Sequence, residues 1–396
     1  MIFIAHCTLH IEKGVVLVRM RRLISGLVGL IIVLSGLPLT ASAVSEKDIT
    51  APSAVLMDAE SGEVLFSKNP HEVRACASIT KVMTLDLVME ALDSGKLKLT
   101  DTITASEHAS SMGGSDIWLE PGEIMSADDM IKATIVASAN DAAVALAEHL
   151  CGSEDEFVAK MNEKAKQLGM KETVFKNCNG LDEDGHVTSA YDVALMSRDL
   201  IKHQQIFKYS GIWMDELRGG KTQIVNTNKL LKSYTGITGL KTGTTSQAGS
   251  CISATAERDG LSLIAVVLGS ASGKERFSDA AALLDYGFAN YAMYTPKAPE
   301  QAFKEIEVTG GMTKSIKTTL DISGSFLIKK GTDKEIDFKV SLPETVAAPI
   351  KKGDTVGKIV YKKGKETIAE YPIRSATNVE EIHFGDIFTL LLKMAV

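Results

Sequence analysis

Strand-like runs open and close the first three quarters of the chain, and helical periodicity fills the middle. Val55, Leu56 and Met57, then Ala59-Glu60-Ser61-Gly62, then Val64, Leu65 and Phe66 predict a hairpin over 54–66. From Ser78 to Leu92, the apolar residues Val82, Leu85, Val88, Met89 and Leu92 recur at helical spacing, and Asp93-Ser94-Gly95 ends the run. Further helices are expected over 130–137, from a cap at Asn140-Asp141 through Leu150, over 157–168 and over 190–203. Three strands then follow, over 238–244, 250–257 and 262–268, punctuated by Gly249 and Arg258-Asp259-Gly260. An apolar helix is expected over 276–291. Such a unit closes when the early hairpin pairs with the late strands in one antiparallel sheet, which makes the fold class α/β of the α+β kind.

After Pro296 the pattern changes. Short alternating segments such as Ile306-Glu307-Val308, Phe326-Leu327-Ile328, Asp337 to Val340 and Lys358 to Tyr361, punctuated by Gly and Lys, predict a small all-β module of sandwich type. The last residues change again. Phe384, Ile387, Phe388, Leu391, Leu392 and Ala395 fall on one helical face, with Asp386, Thr389 and Lys393 opposite. The reading is an amphipathic helix lying on a membrane surface, with a helix docked on its own protein as the alternative. The organisation expected is a leader and signal peptide over 1–43, a catalytic unit over 44–300, the β module over 301–377 and the C-terminal helix over 378–396.

The signal-peptide reading rests on Met20-Arg21-Arg22, the apolar run from Leu23 to Leu39, and Ala41-Ser42-Ala43, which places cleavage after Ala43. An uncleaved anchor is the alternative, and Met20 stands as a candidate start. The 396-residue chain carries a formal net charge of -7 and no long basic run, which argues against a nucleic-acid partner. Loss of 1–43 removes four basic residues and one acidic one, moving the charge to -10. Four cysteines remain: Cys76, Cys151, Cys178 and Cys251. None has zinc-ligand spacing, and no metal or organic cofactor is implied. Export permits a disulfide among them, and the sequence does not choose a pair.

Three short motifs carry the candidate chemistry. Ser78-Ile79-Thr80-Lys81 is the only Ser-x-x-Lys. At a helix start its ends share one face, so the amine reaches the hydroxyl. A lysine made neutral by burial or by a nearby cation can take the serine proton. Ser138-Ala139-Asn140 offers a hydroxyl to relay that proton to a leaving amine, and an amide to bond both the lysine and a substrate carbonyl. Lys241-Thr242-Gly243 lies on the first late strand, where a cation and a hydroxyl can grip a carboxylate. The glycine there lets a ligand approach the backbone. Each motif singly is also what an ordinary helix cap or strand end looks like; their joint occurrence in this order is the signal.

The trio resembles that of penicillin-binding proteins and β-lactamases. With Ala75 to Thr84, Ser111 to Glu123, Gly180 to Leu200 and Thr238 to Gly269, the chain resembles the D-alanyl-D-alanine carboxypeptidases, the low-molecular-weight penicillin-binding proteins, over roughly 50–375. The resemblance implies a penicillin-binding/β-lactamase-like transpeptidase domain. It also implies removal of the terminal D-alanine from peptidoglycan stem pentapeptides through an acyl-enzyme on Ser78, and acylation of that serine by β-lactams. Lys81, Ser138 and Asn140 would be catalytic. Lys241, Thr242, Gly243, Thr244 and Arg276 would bind substrate, with the N–H groups of Ser78 and Thr244 as oxyanion donors. Partners would be the stem peptide, β-lactams and a membrane surface. The location would be the outer face of the cytoplasmic membrane, or the cell wall or periplasm. Cys76 stands where the family commonly has proline, and Thr244 where some members have histidine. A D,D-endopeptidase would use the same residues. A class A β-lactamase would add a Glu-x-x-Leu-Asn that is absent between Ser138 and Lys241. A catalytically silent binding protein would not need the trio intact.

Overall fold

The computed structural model describes residues 45–394. The expected leader and signal peptide, and Ala395 of the last periodic run, lie outside the described residues.

Strand β1 (Ser53–Asp58) turns into β2 (Val64–Lys68). A helical layer follows: α1 (Lys81–Asp93), α2 (Ala127–Lys132), α3 (Asn140–Cys151), α4 (Glu154–Gln167) and α5 (Ala190–Leu200). Then come β3 (Ile237–Thr245), β4 (Gly249–Arg258), β5 (Leu261–Ser270) and α6 (Gly273–Asn290). The five strands form one antiparallel sheet in the order β2-β1-β5-β4-β3, as the hydrophobic pattern requires. β3 is an edge.

Both faces of the sheet are covered, which is why β5 reads as an unbroken apolar run rather than an alternating one. Ile264, Val266 and Leu268, with Val55 and Met57, pack in the cluster shared with the helical layer. Leu263, Ala265 and Val267, with Ala54 and Leu56, pack against Ala280, Leu283, Leu284 and Phe288 of α6. α1 runs through the middle of the helical layer with Val82, Met83, Leu85, Val88 and Met89 all fully buried. Lys164 of α4 ties it down, 2.5 Å from both Glu90 and Asp199 and 3.7 Å from the buried Asp86.

Several helix starts differ from expectation for local reasons. The helix expected from 157 starts at Glu154 because Ser153 Oγ accepts the Glu156 N–H. The one expected from 130 starts at Ala127, capped likewise by Ser126. Its end widens into a π turn (Ala133–Ala137) that leaves Ser138 at φ +62°. Asn140 is not a cap: Ala139 holds that position, and the Asn140 side chain is committed elsewhere.

The strand run begins before the composition shift at Pro296. β6 (Tyr291–Tyr294) continues directly from α6. Beyond it lie β7 (Ile306–Thr309), β8 (Ser315–Ile316), β9 (Thr318–Leu320) and β10 (Phe326–Lys329), which pairs with β6. The chain continues with β11 (Ile336–Ser341), β12 (Thr345–Ala347), β13 (Thr355–Lys363) and β14 (Glu366–Ser375). They make a three-stranded sheet β8-β7-β12, whose β7–β12 pair is parallel, and a four-stranded sheet β9-β14-β13-β11. Leu342 and Val356 touch the hydrophobic clusters of both. The last helix, α7 (Phe384–Met394), leaves its apolar face in solvent: Phe384 is 82% exposed and Leu391 60%. No described helix is long and apolar enough to cross a membrane.

The approach of α6 to the sheet gives a test. A Cβ at Gly287 would stand 2.5 Å from Leu263 Cδ1 and 3.0 Å from Leu56 Cδ2. Gly287→Val is therefore expected to destabilise by about 1–3 kcal/mol, as overpacking does. Denaturant unfolding of the purified variant measures it.

Candidate active site

The Ser78-to-Lys81 motif opens α1 through a tight turn. Ala77–Thr80 is a 3₁₀ turn, with α1 beginning at Lys81. Ser78 and Lys81 still share a face, and Lys81 Nζ stands 3.1 Å from Ser78 Oγ. The lysine is wholly buried. Its other contacts are Asn140 Oδ1 at 2.5 Å and the Asn179 carbonyl at 2.6 Å. The Asn140 orientation is fixed independently, because its Nδ2 donates to the Gly113 carbonyl at 2.6 Å, which leaves Oδ1 for the lysine. Burial pulls the Lys81 pKa down from the usual 10.5 to about 7, against the opposing pull of Asp116 and Asp141. Asp141, next to Asn140, accepts from the Ile117 and Leu119 N–H groups and so fixes the loop that carries Gly113.

A second group forms on β3. Lys241 is 1% exposed, and its Nζ donates to Ser138 Oγ at 2.8 Å and to the Thr242 carbonyl at 2.9 Å. Ser138 is thus bonded to Lys241 rather than to Lys81. Thr242 Oγ1 donates to Thr227 Oγ1 at 2.7 Å. Thr244 is exposed. Behind it, Arg276 Nη1 donates to Thr244 Oγ1 (2.8 Å) and to the carbonyls of Gly243 (2.9 Å) and Cys251 (3.3 Å). Arg276 Nε is buried without a hydrogen-bond partner. Among the described residues, none of Lys81, Lys241 and Arg276 makes an ion pair. Burial, with the charges of Lys81 and Arg276, drives the Lys241 pKa far down. Burial lowers Arg276 as well.

The two groups meet where side chains are missing. A Cβ at Gly243 would stand 3.0 Å from Ser78 N and 2.8 Å from the Cys76 carbonyl. One at Gly180, at φ +87°, would stand 2.0 Å from the Ala77 carbonyl oxygen. The turn that carries Ser78 is therefore gripped between two bare backbones, and all nine residues singled out by sequence lie on or against this junction. Sequence reasoning missed Asn179, Gly180, Thr227, Gly113 and Asp141. Asn179 and Gly113 act through carbonyls, which leave no side-chain signature; Asn179-Gly180 was readable only as a turn. Cys76, in the position where proline was expected, is sealed at 0% exposure. Burial raises its thiol to about 12, so it stays protonated. All four described cysteines are free thiols in the structure.

The family model described as D-alanyl-D-alanine carboxypeptidase matches residues 40–272, and that of the penicillin-binding protein 5 C-terminal domain matches 291–381. The D-alanyl-D-alanine carboxypeptidase DacF of Bacillus subtilis is 44% identical over 344 residues, covering 86% of this chain and 88% of the relative. Among solved structures, penicillin binding protein 5 from Haemophilus influenzae superposes with a TM-score of 0.69 at 34% identity, over 86% of this chain and all of that one. Penicillin-Binding Protein D2 from Listeria monocytogenes, in its ampicillin-bound form, gives a TM-score of 0.56 at 34% identity over 61% of this chain and 98% of that one. The chain belongs to the D-alanyl-D-alanine carboxypeptidase family, serine-type hydrolases of the penicillin-binding kind.

Proposed function

We propose that this enzyme removes the terminal D-alanine of peptidoglycan stem pentapeptides, with Ser78 as nucleophile and Lys81 as its base. One observation carries the assignment of roles: three buried basic side chains, Lys81, Lys241 and Arg276, none of them in an ion pair among the described residues, stand close to Ser78 and the edge strand β3. A free strand edge pairs with an extended peptide. Buried basic groups without an ion pair leave a place for an anion, and a C-terminal carboxylate supplies one.

The geometry of Lys81 suits a neutral amine. Such a nitrogen has two protons and one lone pair. Asn140 Oδ1 and the Asn179 carbonyl take the protons, and the lone pair is left for the Ser78 hydroxyl. Ser78 Oγ then attacks the carbonyl between the two D-alanines as its proton passes to Lys81. The N–H groups of Ser78 and Thr244 hold the oxyanion. Ser138, which donates to no protein group among the described residues, relays that proton: it gives its own to the departing amine as the C–N bond breaks and takes the one Lys81 carries, so that Lys81 is neutral again. Lys241 and Thr242 hold the carboxylate, with Arg276 adding its field from behind Gly243 and Thr244. Water attacks the acyl-enzyme and frees Ser78. β-Lactams would acylate the same serine, a reading supported by the ampicillin-bound relative.

The flanking segments extend the proposal. Residues 1–43 would be leader and signal peptide, 44–300 the catalytic unit, 301–377 the β module and 378–396 an anchor. The enzyme would be exported and held at the outer face of the cytoplasmic membrane, or in the cell wall or periplasm. The exposed apolar face of α7 supports the anchor.

D-Alanine release from a pentapeptide ending in D-Ala-D-Ala tests the reaction. Ser78→Ala is expected to lower it at least about a thousandfold. Absence of release while penicillin still labels Ser78 would redirect the assignment to cross-linked peptides. The base assignment has its own signature. Only neutral Lys81 accepts the serine proton, so acylation by a fluorescent penicillin should rise about tenfold per pH unit up to about 7 and then level off. A rate still climbing at pH 9 would remove Lys81 from that role. For the anchor, protein ending at Glu381 should release D-alanine as the longer chain does, yet no longer sediment with anionic lipid vesicles. Undiminished sedimentation would exclude α7 as the membrane contact.

A further inference from the structure

His186 lies outside the motifs and is 5% exposed. Its ring contacts Phe175 edge-on at 5.9 Å. Its hydrogen bonds determine where its proton sits. The backbone N–H of Lys176 points at Nδ1 at 3.1 Å, and a backbone amide can only donate. Nδ1 is therefore the acceptor, and the proton of the neutral ring sits on Nε2. Nε2 faces Thr80 Oγ1 at 2.7 Å. Burial pulls the imidazole down to about 4, with Glu183 and Asp182 opposing and Lys176 reinforcing, so the neutral ring persists at working pH.

The Thr80 hydroxyl has one proton and two acceptor positions. The Ala77 carbonyl, 2.8 Å away, can only accept, so it takes that proton. The acceptor positions are then left for His186 Nε2–H and for the Cys76 thiol at 3.4 Å. Ala77 is the residue before the nucleophile and sits at φ +53°, a conformation a side-chain-bearing residue rarely adopts unless its surroundings enforce it. The Ala77–Ser78 peptide is planar, so its C=O and N–H point in opposite directions. Fixing the carbonyl on Thr80 fixes the Ser78 N–H toward β3, where Gly243 leaves room for it.

We propose that His186 is a positioning residue for the nucleophile. Through Nε2–H it orients the Thr80 hydroxyl, which holds the Ala77 carbonyl and so aims the Ser78 N–H at the developing oxyanion. The inference rests on Ser78 being the nucleophile. It assigns a role to three residues outside the motif pattern: His186, Thr80 as more than a spacer between Ser78 and Lys81, and Cys76 as a thiol donor.

The experiment is acylation by a fluorescent penicillin, resolved into the noncovalent constant and the first-order acylation step. Labelling of the unmodified chain at Ser78, absent in Ser78→Ala, establishes the underlying reading first. Thr80→Val and His186→Leu should each slow the acylation step about 10–100-fold, the loss expected of one or two bonds to a transition state. The noncovalent constant should change less than about threefold. His186→Gln, which keeps a donor near the Nε2 position, should recover most of the rate. The double variant should be little slower than either single one, since both break one chain of bonds. A Gln variant as slow as the Leu variant would reduce His186 to packing and overturn the proposal, as would folded Leu and Val variants that acylate normally. Nitrogen NMR of the histidine-labelled, unsubstituted protein at pH 6–7 needs no variant to fold. It should show the neutral Nε2–H form at His186, and an Nδ1–H form would overturn the chain at its first link.

Discussion

The structure depends on keeping one lysine amine out of water and fully satisfied. Lys81 has no exposure, and its three contacts come from three separate parts of the chain. An uncompensated buried ammonium costs several kcal/mol, and the group relieves that cost by losing its proton rather than by unfolding the site. Burial thus produces the chemistry. The surrounding elements bury most of α1, and this both secures the core and supplies the low dielectric that brings Lys81 near neutrality. Mobility in this layer would readmit water and return the amine to its ordinary basicity. A rigid helical layer and, in the proposed reaction, an activated serine are therefore the same requirement seen from two sides.

That requirement explains which parts of the site were legible in the sequence. Ser78 and Lys81 are three residues apart on one turn, so their contact follows from local geometry alone. The late strands were legible because β5 is apolar on both faces and needs two layers to cover it. Asn140 was readable as a helix cap, but its amide is held between the Gly113 carbonyl and Lys81, a contact set by tertiary structure. Ser138 was placed with Lys81 by motif logic. The left-handed backbone that follows the π turn sends its hydroxyl to Lys241 instead. Carbonyl acceptors such as Asn179 belong to no residue type and leave no trace in composition. In the β module, the parallel pairing of β7 with β12 was hidden for a related reason: alternation reveals a half-buried strand but not its partner.

Basic groups are gathered around the edge strand. Lys81 reaches Ser78, Lys241 reaches Ser138, and Arg276 is bonded to the Gly243 carbonyl and the Thr244 hydroxyl. Burial lowers the proton affinity of all three, Lys81 and Arg276 lower that of Lys241 further, and among the described residues none of the three is in an ion pair. The resting site is electrostatically incomplete. Buried polar groups in native proteins are nearly always satisfied, so an unpaired set of this kind marks the place of a missing partner.

This incompleteness also supplies selectivity in the proposed reaction. A substrate whose leaving group carries a free α-carboxylate completes the charge balance when it binds and raises the proton affinity of Lys241 toward its ordinary value. A peptide continuing as an amide past that position brings no charge, and it leaves cation and dipole desolvated together. The penalty for a missing charged partner exceeds what an added methylene or hydroxyl contact contributes, so discrimination rests on one carboxylate rather than on a shaped pocket. The same charge would orient the substrate along β3, because Lys241 lies on that strand and draws the carboxylate toward it. Recognition of the end of the chain and placement of the scissile bond then follow from a single electrostatic demand.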